Sequence, residues 1–265
     1  EDLIIFKIIM SIQYQLEAEN RIIYSIQRKK PSVNFIKMEI LQFYSKSKIT
    51  ASPETMGGVR NWRQRLSNFW PVRISPLPIT VEGRELFNEE LQFSSVEQAF
   101  HYAKFRFTTK TMSDSEILDP LLHYPAILTE SIPISFDQVD DDTFAKIIRP
   151  FMVQVKGSSG KGKMKKAGYA LNVGAWDVAR VAVMEHLLRA RFGSDGEFRS
   201  ILSASQGKYL LHFERSGKNS FWGGSLNKAD QTPQGQNTLG KMMMNLRETM
   251  SSQYKQYCQE GETKE

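Results

Sequence analysis

The sequence predicts a single α+β domain, mainly helical, with a small antiparallel sheet. Three observations carry this. Apolar residues recur at helical spacing over segments 95–107, 177–191 and 238–250. Short stretches near residues 40–44 and 72–74 read as strands or extended edges. Hydrophobic residues at 40% and charged residues at 24% match an ordinary globular core, which excludes wholesale disorder and a fibrous repeat.

Residues 1–37 mix isoleucine runs with the basic patch Arg28-Lys29-Lys30-Pro31 and read as an N-terminal extension, with Met38 as an internal start. The longest apolar stretch there, Leu3 to Met10, is interrupted by Lys7 and is far shorter than the ~20 residues that cross a bilayer. No membrane span is expected. A truncated signal peptide is the weaker reading, since no small-residue cleavage site follows.

The domain proper is expected over 38–250, with a flexible tail at 251–265. It opens on Ile40-Leu41-Gln42-Phe43-Tyr44, whose apolar and polar residues partly alternate. Leu66-Ser67-Asn68-Phe69-Trp70-Pro71 leads into Val72-Arg73-Ile74, which Pro71, Pro76 and Pro78 confine to an edge strand or extended loop. Gly83 marks a hairpin. A helix starting at Ser94 or Ser95 carries Val96, Ala99, Phe100, Ala103 and Phe107 on its inner face. The acidic, Pro-containing stretch 111–143 reads as a surface excursion. Lysines at 156, 161, 163, 165 and 166, interleaved with Gly157, Gly160 and Gly162, read as a flexible cationic loop. The helix over 177–191 presents Val178, Val181, Ala182, Met184, Leu187 and Leu188 and stops near Gly193. The last helix aligns Leu239, Met242, Met243, Leu246 and Met250. The 40s and 70s segments should form the sheet, and a pocket should lie between helix 95–107 and the last helix.

The only cysteine is Cys258, which excludes an internal disulfide framework and a cysteine-based zinc site, and makes a reducing, cytoplasmic compartment the natural expectation. His101, His123, His186 and His212 lack metal-ligand spacing, so no metal and no cofactor are expected. A net charge of +6 favours anionic ligands such as phosphates or nucleic acid.

Several short motifs stand in a fixed order. Leu66-Ser-Asn-Phe-Trp70 comes first, then Ser94-Ser-Val-Glu-Gln-Ala-Phe-His-Tyr-Ala-Lys104. Trp176 precedes a helix with Met184 eight positions on. Phe221-Trp-Gly223 is followed by Gly235-Gln-Asn-Thr-Leu-Gly-Lys241 and Arg247. From Ile40 to Glu248 this arrangement resembles the NADAR (YbiA-like) family. The resemblance implies an α+β N-glycosidase that cuts the bond between a phosphorylated ribose and a nitrogenous base. It implies catalytic roles for Glu97 and Lys104, and supports Trp176 and Trp222 as binding residues. It also implies two substrate classes, ADP-ribosylated guanine in nucleic acid and phosphoribosyl intermediates of riboflavin synthesis. The chain departs from the family pattern in two places: Asn219 stands where the pattern has an aspartate, and Val173-Gly-Ala-Trp176 replaces an Arg-x-Asp-Trp lead. Asp177 offers a replacement carboxylate.

The residues admit plainer readings. Ser94-x-x-Glu97 fits a capping box, in which Glu97 only bonds its own helix start; if Ser95 is the cap, Gln98 closes the box and Glu97 is free. Lys104 lies seven residues after Glu97, almost two helical turns, so both project from nearly one face; the alternative is a solvated lysine. Trp70, Trp176 and Trp222 fit either burial or stacking on a flat base. Gly235-x-x-x-x-Gly-Lys241 is followed by Met242 rather than Ser or Thr, so it is no ATP loop; Asn237 or Thr238 can still cap a helix whose N–H groups, with Lys241, hold a phosphate. Ser67, Asn68, Asn219, Gly223, Asn237, Lys241 and Arg247 complete the expected substrate-binding set. In the chemistry, Glu97 stabilises an oxocarbenium-like state or activates water, or Lys104 attacks to form a Schiff base. The competing class is a non-catalytic module that binds ADP-ribose or a related nucleotide.

Overall fold

A computed structural model describes residues 38–46, 54–110, 126–132, 139–215 and 217–249. All but Met38 fall in one unit, Glu39–Glu265. The expected extension at 1–37, the tail at 251–265 and much of the 111–143 excursion lie outside the described residues. No helix among those described is long and apolar enough to cross a membrane.

The elements in chain order are β1 (Ile40–Phe43), β2 (Thr55–Met56), β3 (Val59–Arg60), α1 (Trp62–Arg65), β4 (Thr80–Val81), β5 (Arg84–Glu85), α2 (Val96–Phe105) and β6 (Thr108–Lys110). Asp141–Thr143 and the wider helical turn Phe144–Ile148 lead into α3 (Arg149–Ser158), then α4 (Lys161–Lys166), β7 (Tyr169–Leu171) and α5 (Val173–Ser194). The remainder is α6 (Gly196–Ala204), β8 (Tyr209–His212), β9 (Ser225–Leu226), β10 (Pro233–Gln234) and α7 over 238–249. Helices and short strand pairs share one hydrophobic core, so the class is α+β as the sequence predicts.

The strand pairing differs from expectation in one respect. The 40s strand does not meet the 70s segment; β1 runs parallel to β8, with Ile40 opposite Tyr209 and Phe43 opposite His212. Leu210 and Leu211 are both fully buried, and a strand covered on both faces suits a parallel interior pair. The 70s segment, held extended by its prolines, makes only an antiparallel bridge from Ile74 to Phe93. The small antiparallel pairs lie elsewhere: β4–β5, β6–β7, β2–β3 and β9–β10. The β4–β5 turn is the hairpin expected at Gly83, with Glu82 and Gly83 both at positive φ, as a two-residue primed turn requires.

Helix α2 begins where Ser95, as N-cap, accepts the Gln98 N–H at 3.1 Å. The Gln98 side chain reaches back to accept the Ser94 N–H at 2.7 Å, so the box closes without Glu97. Pair β6–β7 then ties the end of α2 to the start of α5, and α5 lies along α2. The buried face of α5 is Trp176, Ala179, Val183, Met184, Leu187, Leu188 and Arg191. Val178 is exposed, so the expected stripe is rotated. The helix is apolar on two sides, and counting apolar residues cannot choose between them.

The expected lysine loop is instead two helices, α3 and α4, joined at Ser159-Gly160. Glycine costs about 1 kcal/mol in a helix, but Met152, Val155 and Met164 are buried at this corner, and packing of that size overrides propensity. At the other end of the molecule, Asn237 fastens α7 to β8. Its Oδ1 accepts the His212 N–H at 3.0 Å and its Nδ2 donates to the Leu210 carbonyl at 2.8 Å. Asn237→Ala leaves both groups unsatisfied and is expected to cost about 2 to 4 kcal/mol, read as a lower urea midpoint with unchanged m-value.

Candidate active site

Glu97 is the second residue of α2, and its N–H donates to the Asn68 carbonyl at 3.1 Å. Asn68 is itself placed by Arg191, which is fully buried. The guanidinium of Arg191 bonds Asp195 at 3.0 Å and the Ser67 carbonyl at 3.1 Å, together with the Arg65 carbonyl. The Glu97 side chain is 13% exposed, with Oε1 3.0 Å from His101 Nε2, one turn along the helix. The other nitrogen of His101, Nδ1, meets Ser159 Oγ at 2.5 Å. Lys104, nearly one turn further, donates from Nζ to the Ser159 carbonyl at 2.8 Å.

Burial alone would push the Glu97 carboxyl up. The hydrogen bond from His101, and the positive fields of His101, Lys156 and His212, outweigh it and hold the group below its usual range. Glu97 is therefore a carboxylate at neutral pH. Burial and the neighbouring ammonium groups of Lys156 and Lys161 push Lys104 down, against the pull of Glu97. His212, on β8, is also depressed, chiefly by burial. Its ring bonds the Trp222 carbonyl, and its Nδ1 has no hydrogen-bond partner. Asn68 Oδ1 is a second buried acceptor without a partner.

An aromatic group adjoins these charges. Phe100, between Glu97 and Lys104 on α2, meets Trp176 at 5.0 Å and Trp222 edge-on at 5.4 Å, while Trp176 also meets Phe107 at 5.4 Å. Trp176 lies inside the first turn of α5 rather than before it, because Asn172 caps that helix. Trp222 is partly buried and borders the group from the 217–224 segment.

Other expected site residues are committed elsewhere. Trp70 is enclosed by Phe144 at 4.8 Å and the Arg65 guanidinium at 4.5 Å. Ser67 Oγ accepts the Phe69 N–H at 3.2 Å. Arg247 is buried, donating to Ser205 and Lys208 carbonyls and pairing with Glu248. At Gly223 an added Cβ would lie 2.6 Å from the His212 carbonyl oxygen, so the glycine serves a close backbone approach. The start of α7 holds no open phosphate cradle: the Thr238 and Leu239 N–H groups bond the Phe221 and Trp222 carbonyls at 3.2 and 3.1 Å, and the Asn237 side chain is spent on β8. Asn219 and Lys241 are exposed. The groups that bond or act on the Glu97 and Lys104 side chains come from α2, the 156–161 corner and β8, not from the last helix. Among the described residues no three His, Cys, Asp or Glu side chains cluster to hold a metal.

A family model described as the NADAR domain matches residues 59–251, well over half of the chain. The chain belongs to the NADAR family. Strand β1 precedes the matched segment, although its partner β8 lies within it. Among solved structures, the NADAR chain is similar to the NMR structure of the E. coli protein YbiA. The two are 20% identical with a TM-score of 0.42, over 82% of this chain and 87% of that one. No curated protein matches.

Sequence reasoning missed His101, Ser159 and His212. His101 sits four residues after Glu97 and was open to discovery as an i, i+4 pair. Ser159 and His212 come from distant segments and carry no local signal.

Burial and the nearby ammonium groups disfavour the charged form of Lys104, an effect that its partial exposure screens, so Lys104→Met is expected to raise Tm at pH 7 slightly, by about 1 °C. A lower Tm in thermal unfolding would show that its bond to Ser159 outweighs the desolvation.

Proposed function

We propose that this NADAR chain is an N-glycosidase that hydrolyses the bond between a phosphorylated ribose and a nitrogenous base. The observation that carries the reading is the pairing on one helix of a buried, ionised Glu97 with a depressed Lys104, beside the Phe100–Trp176–Trp222 group. Cleavage at an anomeric carbon builds positive charge on the sugar, and a fixed carboxylate stabilises it or takes a proton from attacking water. The aromatic group receives the leaving base, where stacking contributes about 1 to 3 kcal/mol. Asn68 Oδ1 is a buried acceptor without a partner, of the kind a sugar hydroxyl satisfies, while His212 Nδ1 faces the Glu214 carboxylate at 3.8 Å. Lys156 and Lys161, close enough to depress Lys104, replace the last helix as the expected holders of phosphate.

Two routes use the same pair. In one, Glu97 activates water directly. In the other, the Lys104 amine attacks the anomeric carbon, the base leaves with a proton, the opened sugar forms an imine, and water hydrolyses it. The depression of Lys104 supports the second by enriching the free amine.

The substrate falls in one of two classes, ADP-ribosylated guanine in nucleic acid or a phosphoribosyl pyrimidine intermediate of riboflavin synthesis. The positive charge at 156–166 favours the polyanionic first class. Incubation of the protein with each, read by mass spectrometry, is expected to release ADP-ribose or ribose 5-phosphate. Glu97→Gln should lower kcat by at least about 100-fold. Borohydride should trap a sugar adduct on Lys104 if the imine route operates, and none if Glu97 acts on water. Binding of ADP-ribose without release from either substrate would make the chain a recognition module instead.

A further inference from the structure

One buried residue bonds Lys104 and also His101, the hydrogen-bond partner of Glu97. Ser159 is fully buried at the α3–α4 corner. Its hydroxyl lies 2.5 Å from His101 Nδ1, and His101 Nε2 lies 3.0 Å from Glu97. Its carbonyl accepts the Lys104 ammonium at 2.8 Å. We propose that Ser159 is the positioning residue of the site, aiming Glu97 through His101 with its hydroxyl and Lys104 directly with its carbonyl.

The hydrogen-bond directions follow from the carboxylate. Glu97 can only accept when ionised, so His101 Nε2 carries a proton and donates. With His101 neutral, Nδ1 is an acceptor and the Ser159 hydroxyl donates to it. With His101 charged, Nδ1 donates and Ser159 Oγ accepts, its own proton turning toward the Lys156 carbonyl 3.5 Å away. A hydroxyl satisfies both states by rotating, whereas a methyl leaves Nδ1 buried and unpaired in each. The penalty is greater for the charged ring. The corner is a sound anchor because Met152, Val155 and Met164 fix it in the core and Gly160 N–H bonds the Gly157 carbonyl at 3.1 Å. This also assigns a purpose to the segment whose glycines and serines resemble a loop.

The inference rests on Glu97 and Lys104 being the reacting pair, so its test has one arm independent of turnover. The Glu97 carboxyl is followed by carbon NMR across acid pH in the full chain, its signal assigned by its absence in Glu97→Gln. The groups acting on it are His101 and Lys104 of α2, Lys156 of α3 and His212 of β8. Ser159→Ala and His101→Gln are both expected to raise its titration midpoint, since each weakens the hydrogen bond that the carboxylate accepts from His101. In the kinetic arm, Ser159→Ala is expected to lower kcat on the order of 10- to 100-fold with KM little changed, and to move the acid limb of the profile upward. The double variant should be no worse than His101→Gln alone, because Ser159 acts on Glu97 through His101. An unmoved Glu97 midpoint in Ser159→Ala overturns the proposal, as do fully additive losses in the double variant. Should no substrate be cleaved by the wild-type chain, the glycosidase reading fails while the NMR arm still decides this one. Where Ser159→Ala does not fold, Ser159→Gly, which also removes the hydroxyl and keeps the carbonyl, is read against the same criteria.

Discussion

A carboxylate removed from water reverts to its neutral form unless positive partners are built in around it, and much of this fold is arranged to supply them to Glu97. One partner, His101, comes from the same helix and Lys156 comes from α3, while His212 of β8 adds a positive field only when its buried ring is protonated. Each needs its own element held in place. The α3–α4 corner is fixed by buried Met152, Val155 and Met164, and β8 by its parallel pairing with β1 and the two bonds from Asn237. Arg191, fully buried on α5, reaches the Ser67 carbonyl and so sets Asn68, which receives the Glu97 N–H. Elements far apart in the chain thus meet at one ionised group.

Several residues that look like ligand contacts in the sequence also fasten the fold. Asn237, Arg247, Gly223 and Ser67 all lie in or beside the family's motifs, and each is used within the chain. The segment 221–223 bonds the first turn of α7 backbone to backbone, which removes the anion site that a helix start ordinarily offers. A positive φ at Asn237 turns the chain into that helix while its amide secures β8. Short motifs of this kind mark positions under constraint, and constraint arises as readily from positioning β8 as from touching a ligand.

Much of the fold was legible in the sequence wherever one element could be judged alone. The α2 start followed from two overlapping capping boxes, and Ser95 with Gln98 won because that arrangement satisfies two N–H groups and leaves Glu97 free. The Gly83 hairpin and the stripe of Leu239, Met243 and Leu246 on α7 were equally local, while Met250 lies outside the described residues. What escaped depended on partners: the parallel β1–β8 pair, the rotated face of α5 and the helices in the lysine segment. Burial of Met152, Val155 and Met164 decides the last of these, and no local window shows it. Glu97 and Lys104 could be paired from the sequence because they share one helix face. Ser159 and His212 could not, because only the tertiary fold brings them to that face.

The central claim is that a phosphorylated ribose sits at the Glu97–Lys104 face of α2 and not at the start of the last helix. A crystal structure of the chain soaked with ADP-ribose tests it most directly. The account predicts the distal ribose against Glu97 and Lys104, with a hydroxyl on Asn68 Oδ1 and phosphate toward Lys156 and Lys161. A ligand seated instead on Lys241 and the first turn of α7, with the Glu97 face empty, would contradict it.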